Sequence, residues 1–229
     1  MSFPGELLAA AKRQPIRTLP IVRRILDGSL PRLTVALYAR RFVHLADGQP
    51  RSLGKLIAVG PRSLWSSLTM NLAEEAGANA GTESHTDLAQ QMAEAFPAEQ
   101  RLLDELDDYR LSMSWFDAEV AKGRWLGPAA SIMIGGEHNS TLTCAAIAEP
   151  LQRLYGLTPA QARFVTVHIE ADARHSAEGA ALLASHAGTE EARRELLEGV
   201  RQGAVQWAAF HRRCALDGAR YAARLATAA

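Results

Sequence analysis

The sequence predicts an all-α protein, a bundle of about seven helices, on three observations. Apolar residues recur at intervals of three and four along most of the 229 residues. β-branched residues are scattered and no stretch alternates for long, so strands have little support. Helix start and stop signals stand between the periodic stretches.

Weak helical periodicity precedes residue 28. The first strong stretch covers 31–46 and the second 51–75, with Asp47, Gly48 and Pro50 read as a loop between them. Glu74 and Glu75 close the second stretch, and Gly77, Asn79 and Gly81 break the chain before the next, 86–96. The stretch 100–121 stops before Gly123, and Gly127-Pro128 precedes 129–155. Thr158-Pro159-Ala160-Gln161 is a capping box with proline at the first helical position, opening 159–186. Gly188-Thr189-Glu190-Glu191 ends that helix and opens 190–226 with acids in its first turn. The helices are long, their connections are short, and there is no repeat, low-complexity linker or charge block. One helical domain spanning 1–229 is expected.

Lys+Arg and Asp+Glu both number 25, so zero net charge gives no support to nucleic-acid binding or an acidic membrane surface. Cys144 and Cys214 form no CxxC and fit buried thiols in a reducing compartment. Lys12, Arg13, Arg17, Arg23 and Arg24 interrupt the N-terminal apolar residues, and nothing approaches the roughly 20 apolar residues of a membrane span. A cytoplasmic location is expected.

Chemistry concentrates in three places. His168, Asp172 and His175 are spaced i, i+4, i+7, which puts two imidazoles and a carboxylate on one narrow helical stripe. Such a set suits a divalent transition metal, the carboxylate shifting preference toward iron or manganese. Glu75 and His85 would stand roughly 15 Å apart on an unbroken helix, but a loop at Gly77 can fold His85 back. Glu137 follows Ile132-Met133-Ile134-Gly135-Gly136 in an apolar setting, and a buried carboxylate requires a cation, either an arginine or a metal. His44, His138, His186 and His211 have no in-phase carboxylate partner.

These residues resemble the haem-oxygenase-like diiron oxidases and oxygenases, also called iron-containing redox enzymes. The resemblance rests on Asn71-Leu72-x-x-Glu75-x-Gly77, then His85, the core Glu137 and His168-x3-Asp172-x2-His175, and covers residues from about 30 to 187. It implies a haem-oxygenase-like bundle with a metal-binding core at about 65–187 and selects Glu75 over Glu74. It also implies six ligands, Glu75, His85, Glu137, His168, Asp172 and His175, for two Fe(II) ions that use dioxygen as co-substrate. The implied activity is hydrogen abstraction from a small amino acid, amine or carboxylate, with desaturation or carbon–carbon cleavage, as in a biosynthetic pathway. Amine N-oxygenation and fatty-acid decarboxylation are the alternatives within the family. A metal-free thiaminase-like enzyme and a non-catalytic interaction protein are the alternatives outside it.

N-oxygenating relatives often carry one more carboxylate on the helix preceding Glu75, whereas Asp47 is the single acid between residues 29 and 60 here. Gly136 stands where tyrosine-consuming relatives carry an aromatic residue. Pocket candidates are Tyr38, Phe42, Trp65, Met70, Met133 and Ile134, with Arg40, Arg41, Arg163 or Arg174 to meet a polar head. Electrons are expected from an external donor or the substrate, because no cysteine run could hold an iron–sulfur relay. The partners expected are the substrate, an external electron donor and a second copy of the chain in a homodimer.

Overall fold

The computed structural model describes residues 2–12, 16–78, 82–110 and 113–228. Ten α-helices form among them: α1 Phe3–Ala11, α2 Pro20–Leu26, α3 Arg32–Val59, α4 Arg62–Glu75, α5 His85–Glu94, α6 Pro97–Leu106, α7 Ser114–Ala121, α8 at 126–155, α9 Arg163–Ala184 and α10 Glu190–Ala228. One 3₁₀ turn, Ile16–Thr18, precedes α2, and no strand occurs among the described residues. α8 is continuous, with α-helical Leu126–Ala130 and Glu137–Tyr155 joined by a π-helical turn, Ser131–Gly136. No helix is long and apolar enough to cross a membrane.

Ten helices replace the expected seven, for local reasons. The weak N-terminal periodicity resolves into α1 and α2, and the expected 100–121 helix splits into α6 and α7. The expected loop at Asp47-Gly48-Pro50 is instead the middle of α3, where Asp47 pairs with Arg51 one turn on. Pro50 removes one backbone donor, but apolar anchors on both sides (Phe42 and Ala46 before it, Leu53 and Leu56 after it) hold the helix through the defect. The break falls at Gly60-Pro61, where Pro61 caps α4. The Thr158 box forms its two hydrogen bonds, Gln161 N donating to Thr158 Oγ1 at 3.2 Å and Thr158 N to Gln161 Oε1 at 2.9 Å, but it closes a turn at 159–162, and α9 opens at Arg163 behind Ala162 rather than at Pro159 as expected. Thr189 likewise caps α10 through Ala192 N at 3.1 Å.

Two apolar clusters fill the bundle. One includes α2, the first half of α3, α5, and the facing ends of α8 and α9. The other includes α1, the second half of α3, α4, α7, and the opposite ends of α8 and α9. One set of buried polar residues falls in the interval between them. On α8 that interval holds Glu137, Asn139, Ser140 and Thr143, and on α9 it holds His168, Asp172, His175 and Ser176.

α10 crosses the π turn at backbone contact. A Cβ on Gly203 would lie 2.1 Å from Ser131 O, and one on Gly135 would lie 2.4 Å from Val200 O. Gly203→Ala is therefore expected to destabilise the fold by about 1–3 kcal/mol, the usual cost of overpacking. Gly54→Ala, on a part of α3 with open space around it, should stabilise by about 1 kcal/mol through helix propensity. Thermal unfolding of the two variants reads the opposite signs, and a neutral Gly203→Ala would refute the close crossing.

Candidate metal centre

Glu75 is the last residue of α4 and His85 the first of α5. Gly77 turns the chain between them with φ 64°, and a Cβ there would meet Ser84 N at 2.5 Å, so glycine is required on both counts. The turn brings Glu75 Oε2 to 2.8 Å from His85 Nδ1, although the two are not aligned as a hydrogen bond. Asn79 and Gly81 lie outside the described residues. His168 on α9 completes the group: Glu75, His85 and His168 each offer a ligand atom within 4.8 Å of the others. His168 Nδ1 lies 2.5 Å from the Phe164 carbonyl, which can only accept. The ring therefore carries its hydrogen on Nδ1 and keeps an Nε2 lone pair for the centre.

The other three expected ligands lie beside this group. Asn71 Nδ2 donates to Glu137 Oε1 at 2.8 Å, whereas Glu137 Oε2 has no hydrogen-bond partner. His175 Nδ1 is likewise without one and stands 3.9 Å from that oxygen. Asp172, one turn before His175, is buried with them. The α9 stripe thus feeds both groups, with His168 toward Glu75 and His175 toward Glu137.

The electrostatics call for a cation. Glu75, Glu137 and Asp172 are all buried, and none of the lysine or arginine ion pairs among the described residues reaches them. Burial, then the nearby Asp172 carboxyl, pushes the Glu137 carboxyl well above its usual range, with Asn71 opposing. Burial and the Glu75 charge likewise raise Asp172 against the pull of His168. Burial would also raise Glu75, but the His85 imidazole overrides it and holds the carboxyl below its ordinary value. His85 shifts the opposite way, burial opposing and Glu75 raising it. A bound metal cation would supply positive charge here and give a partner to the orphaned Glu137 Oε2 and His175 Nδ1. The donor set of three carboxylates and three imidazoles fits iron.

Glu74 has an unexpected place. The helical period turns it about 100° from Glu75, which suggests a side chain remote from the centre. Instead its Oε2 accepts from Arg174 at 2.6 Å and lies 3.0 Å from His175 Nε2. Arg174 Nη2 also lies 3.2 Å from His175 Nε2, so that nitrogen meets a donor and an acceptor on this side while Nδ1 faces Glu137.

A cavity of about 570 Å³ opens onto the centre, with Glu75, Glu137, His168 and Asp172 in its wall. Phe42, Ile132, Phe164, Trp207 and Phe210 form its apolar sides, and Arg110, Gln206 and Arg213 are polar members of the lining. Of the expected pocket residues, Phe42 lines this cavity. Tyr38 and Ile134 are core, and Met133 borders a separate cleft of about 100 Å³. Met70 lines that cleft too, and Trp65 and Met70 are exposed at 46% and 62%. The expected head-group arginines are engaged elsewhere: Arg40 by Asp104, Arg41 by Asp107 and Asp217, Arg163 by Glu83 and Arg174 by Glu74. The contribution of α10 was missed because Gln206, Trp207, Phe210 and Arg213 follow the same spacing as any core-facing stripe.

The sequence matches the family model described as iron-containing redox enzyme across residues 36–208. The chain belongs to this family. Its membership makes the protein an oxidoreductase in general terms, and the donor set above agrees with iron. No curated protein matches the sequence. Several solved structures share the fold. A domain of unknown function with a haem oxygenase-like fold from Shewanella denitrificans OS217 has a TM-score of 0.67 at 18% identity, covering 93% of this chain and 90% of its own. A TenA homolog from Pseudomonas syringae pv. tomato DC3000 has a TM-score of 0.70 at 13% identity, over 93% and 92%. A CADD-like protein of unknown function from Nostoc punctiforme PCC 73102 has a TM-score of 0.61 at 19% identity, over 93% and 96%. This family member therefore has a haem-oxygenase-like fold.

Proposed function

We propose that this chain is an O2-dependent non-haem diiron oxidase or oxygenase acting on a small carboxylate-bearing metabolite with an apolar body, an amino acid being the first choice. The observation that carries the reading is the Glu75/His85/His168 group, whose ligand atoms lie within 4.8 Å of one another, with Glu137, Asp172 and His175 also buried, no lysine or arginine among the described residues paired to the three carboxylates, and Glu75, Glu137, His168 and Asp172 in the wall of an apolar cavity. Two ferrous ions held there would supply the reducing power to activate dioxygen for hydrogen abstraction from the substrate.

The residues around them do the remaining work. Phe42, Ile132, Trp207 and Phe210 exclude water and hold the apolar body against the centre. Arg110, Arg213 and Gln206 offer donors for a carboxylate, with Arg213 already oriented by Asp217 at 2.5 Å. Gly136, in the cavity wall, leaves space beside Glu137 for the reacting carbon. Asp47 is exposed and paired with Arg51, so α3 sends no additional carboxylate to the centre, which favours carbon oxidation over amine N-oxygenation. Desaturation or carbon–carbon cleavage follows hydrogen abstraction in this reading, and an external donor renews the electrons.

The thiaminase-like alternative needs a nucleophilic thiol. Burial pushes Cys144 far up and Cys214 to about 12, so neither thiol ionises readily. Anaerobic reconstitution with Fe(II), iron quantitation and oxygen-pulsed stopped-flow absorbance test the proposal. About two ions per chain, and a transient visible band whose decay one of the screened amino acids or medium-chain fatty acids accelerates, are expected. No iron uptake with candidate substrates present would refute it. A response to fatty acids alone would move the assignment to decarboxylation.

A further inference from the structure

Outside the metal centre, a fully buried polar pair joins α3 to α10. Tyr38 Oη lies 2.7 Å from His211 Nε2. His211 Nδ1 lies 2.7 Å from the Trp207 carbonyl, which can only accept, so the ring hydrogen sits on Nδ1. Nε2 then presents a lone pair, and the phenol O–H donates to it. Burial pushes the His211 imidazole down to about 4 and the Tyr38 phenol well above its usual value, so the resting pair is neutral. A phenylalanine opposite an apolar residue would fill the same space without desolvating two polar groups. Packing alone therefore gives no reason for this pair.

The pair is connected to the metal centre by rings. Tyr38 is 4.6 Å from Phe42 between centroids, Phe42 is 5.1 Å from Phe164, and Phe164 is 4.4 Å from His168. Trp207, in the cavity wall, lies 5.2 Å from His211 and 6.3 Å from Phe42. The other tyrosines lack a comparable base. Tyr109 lies under the Arg41 guanidinium at 4.3 Å, Tyr155 donates to the Arg24 carbonyl, and Tyr221 donates to Asp107 beside Arg220. Among the described residues, Tyr38 alone donates to a neutral nitrogen base.

We propose that Tyr38 is a redox-active tyrosine that gives one electron to the oxidised iron centre while its phenol proton passes to His211 Nε2. The role rests on the proposed iron site. The Tyr38 O–H bond breaks, an N–H bond forms on His211, and the O2-oxidised iron is reduced by one electron. Tyrosine is left as a neutral radical facing an imidazolium whose Nδ1–H remains on the Trp207 carbonyl. Because the proton moves only along a 2.7 Å hydrogen bond, an electron from the external donor reverses the step. The pair thereby discharges an oxidised centre that has no substrate, sparing the ligand imidazoles.

Two arms test this. In the first, Fe(II)-loaded protein is pulsed with oxygen, freeze-quenched and examined by electron paramagnetic resonance. A tyrosyl radical is expected, narrowed by ring-deuterated tyrosine and coupled to an exchangeable proton on His211. Tyr38→Phe should abolish it at unchanged iron content, and His211→Gln, which keeps an acceptor but takes no proton, should diminish it. In the second arm, azide radicals from pulse radiolysis oxidise metal-free protein, and the hole should come to rest as a tyrosyl absorbance that Tyr38→Phe lacks. A radical of wild-type yield in Tyr38→Phe in either arm overturns the proposal. Iron uptake without a Tyr38 radical also overturns it while leaving the iron site standing. A Tyr38 radical in the metal-free arm without any iron uptake upholds the redox pair and refutes the iron site instead.

Discussion

Glu137→Gln is expected to stabilise the metal-free protein while reducing turnover to background. Glutamine keeps the acceptor that Asn71 Nδ2 reaches at 2.8 Å. Its amide group would face His175 Nδ1, which stands 3.9 Å from Glu137 Oε2 with neither atom hydrogen-bonded in the wild type. Satisfying such a buried pair contributes about 1–3 kcal/mol, and each 1 kcal/mol raises the melting temperature by roughly 2–4 °C in a chain of this size. The pH dependence carries the same signature. Glu137 and Asp172 have native carboxyls raised above their ordinary values, chiefly by burial. The folded state therefore holds more protons than the unfolded chain, and stability falls as pH rises from the ordinary carboxylate range through the raised native one. Removing Glu137 makes that fall shallower, and loading Fe(II) into the wild type should do so too, because the ion takes the place of the protons. Thermal unfolding at two pH values, with and without iron, measures all of this. A Glu137→Gln variant that is less stable, keeps its iron and still turns over would remove Glu137 from the centre.

How legible each part of the centre was depends on the range of the interaction that places it. The His168/Asp172/His175 stripe is local, since a helix of 3.6 residues per turn aligns those positions whatever packs against them. The apposition of Glu75 and His85 was half legible: Gly77 announced a turn, but only packing of α4 and α5 decides that it closes to 2.8 Å. Glu74 was unreadable, because its role depends on α9 crossing the end of α4, where Arg174 and His175 meet it. The cavity wall on α10 was hidden for a related reason, as a stripe facing a ligand and a stripe facing core carry the same residues. The fold followed similar limits. The side-chain hydrogen bonds of Thr158 and Thr189 are local and both formed, although the Thr158 box closes a turn and the helix begins only at Arg163. The proposed break at Pro50 did not form, since flanking apolar anchors outweighed one lost backbone hydrogen bond. The arginines assigned to a substrate head all found acidic partners of their own, which only tertiary structure could show.

Glu75 and Glu74 should separate in kind as well as degree. Glu75→Ala removes a donor from the Glu75/His85/His168 group, whose ligand atoms lie within 4.8 Å of one another. It also deprives His85 of the carboxylate that raises its imidazole against burial. One of the two ions should be lost, and turnover with it, while helical content stays close to wild type because α4 ends at this residue. Glu74→Ala leaves every donor in place. It removes the carboxylate that lies 3.0 Å from His175 Nε2 and restrains Arg174 beside it. Loss of such an orienting partner weakens a metal site by roughly 10–100-fold without emptying it. Glu74→Gln, which keeps an acceptor oxygen, should fall between wild type and alanine. Anaerobic iron titration against a competing chelator distinguishes a missing ion from a weakened one. Loss of one ion from both variants would make Glu74 a ligand as well. Loss from Glu74→Ala alone would shift the assignment by one residue and detach His85 from the iron.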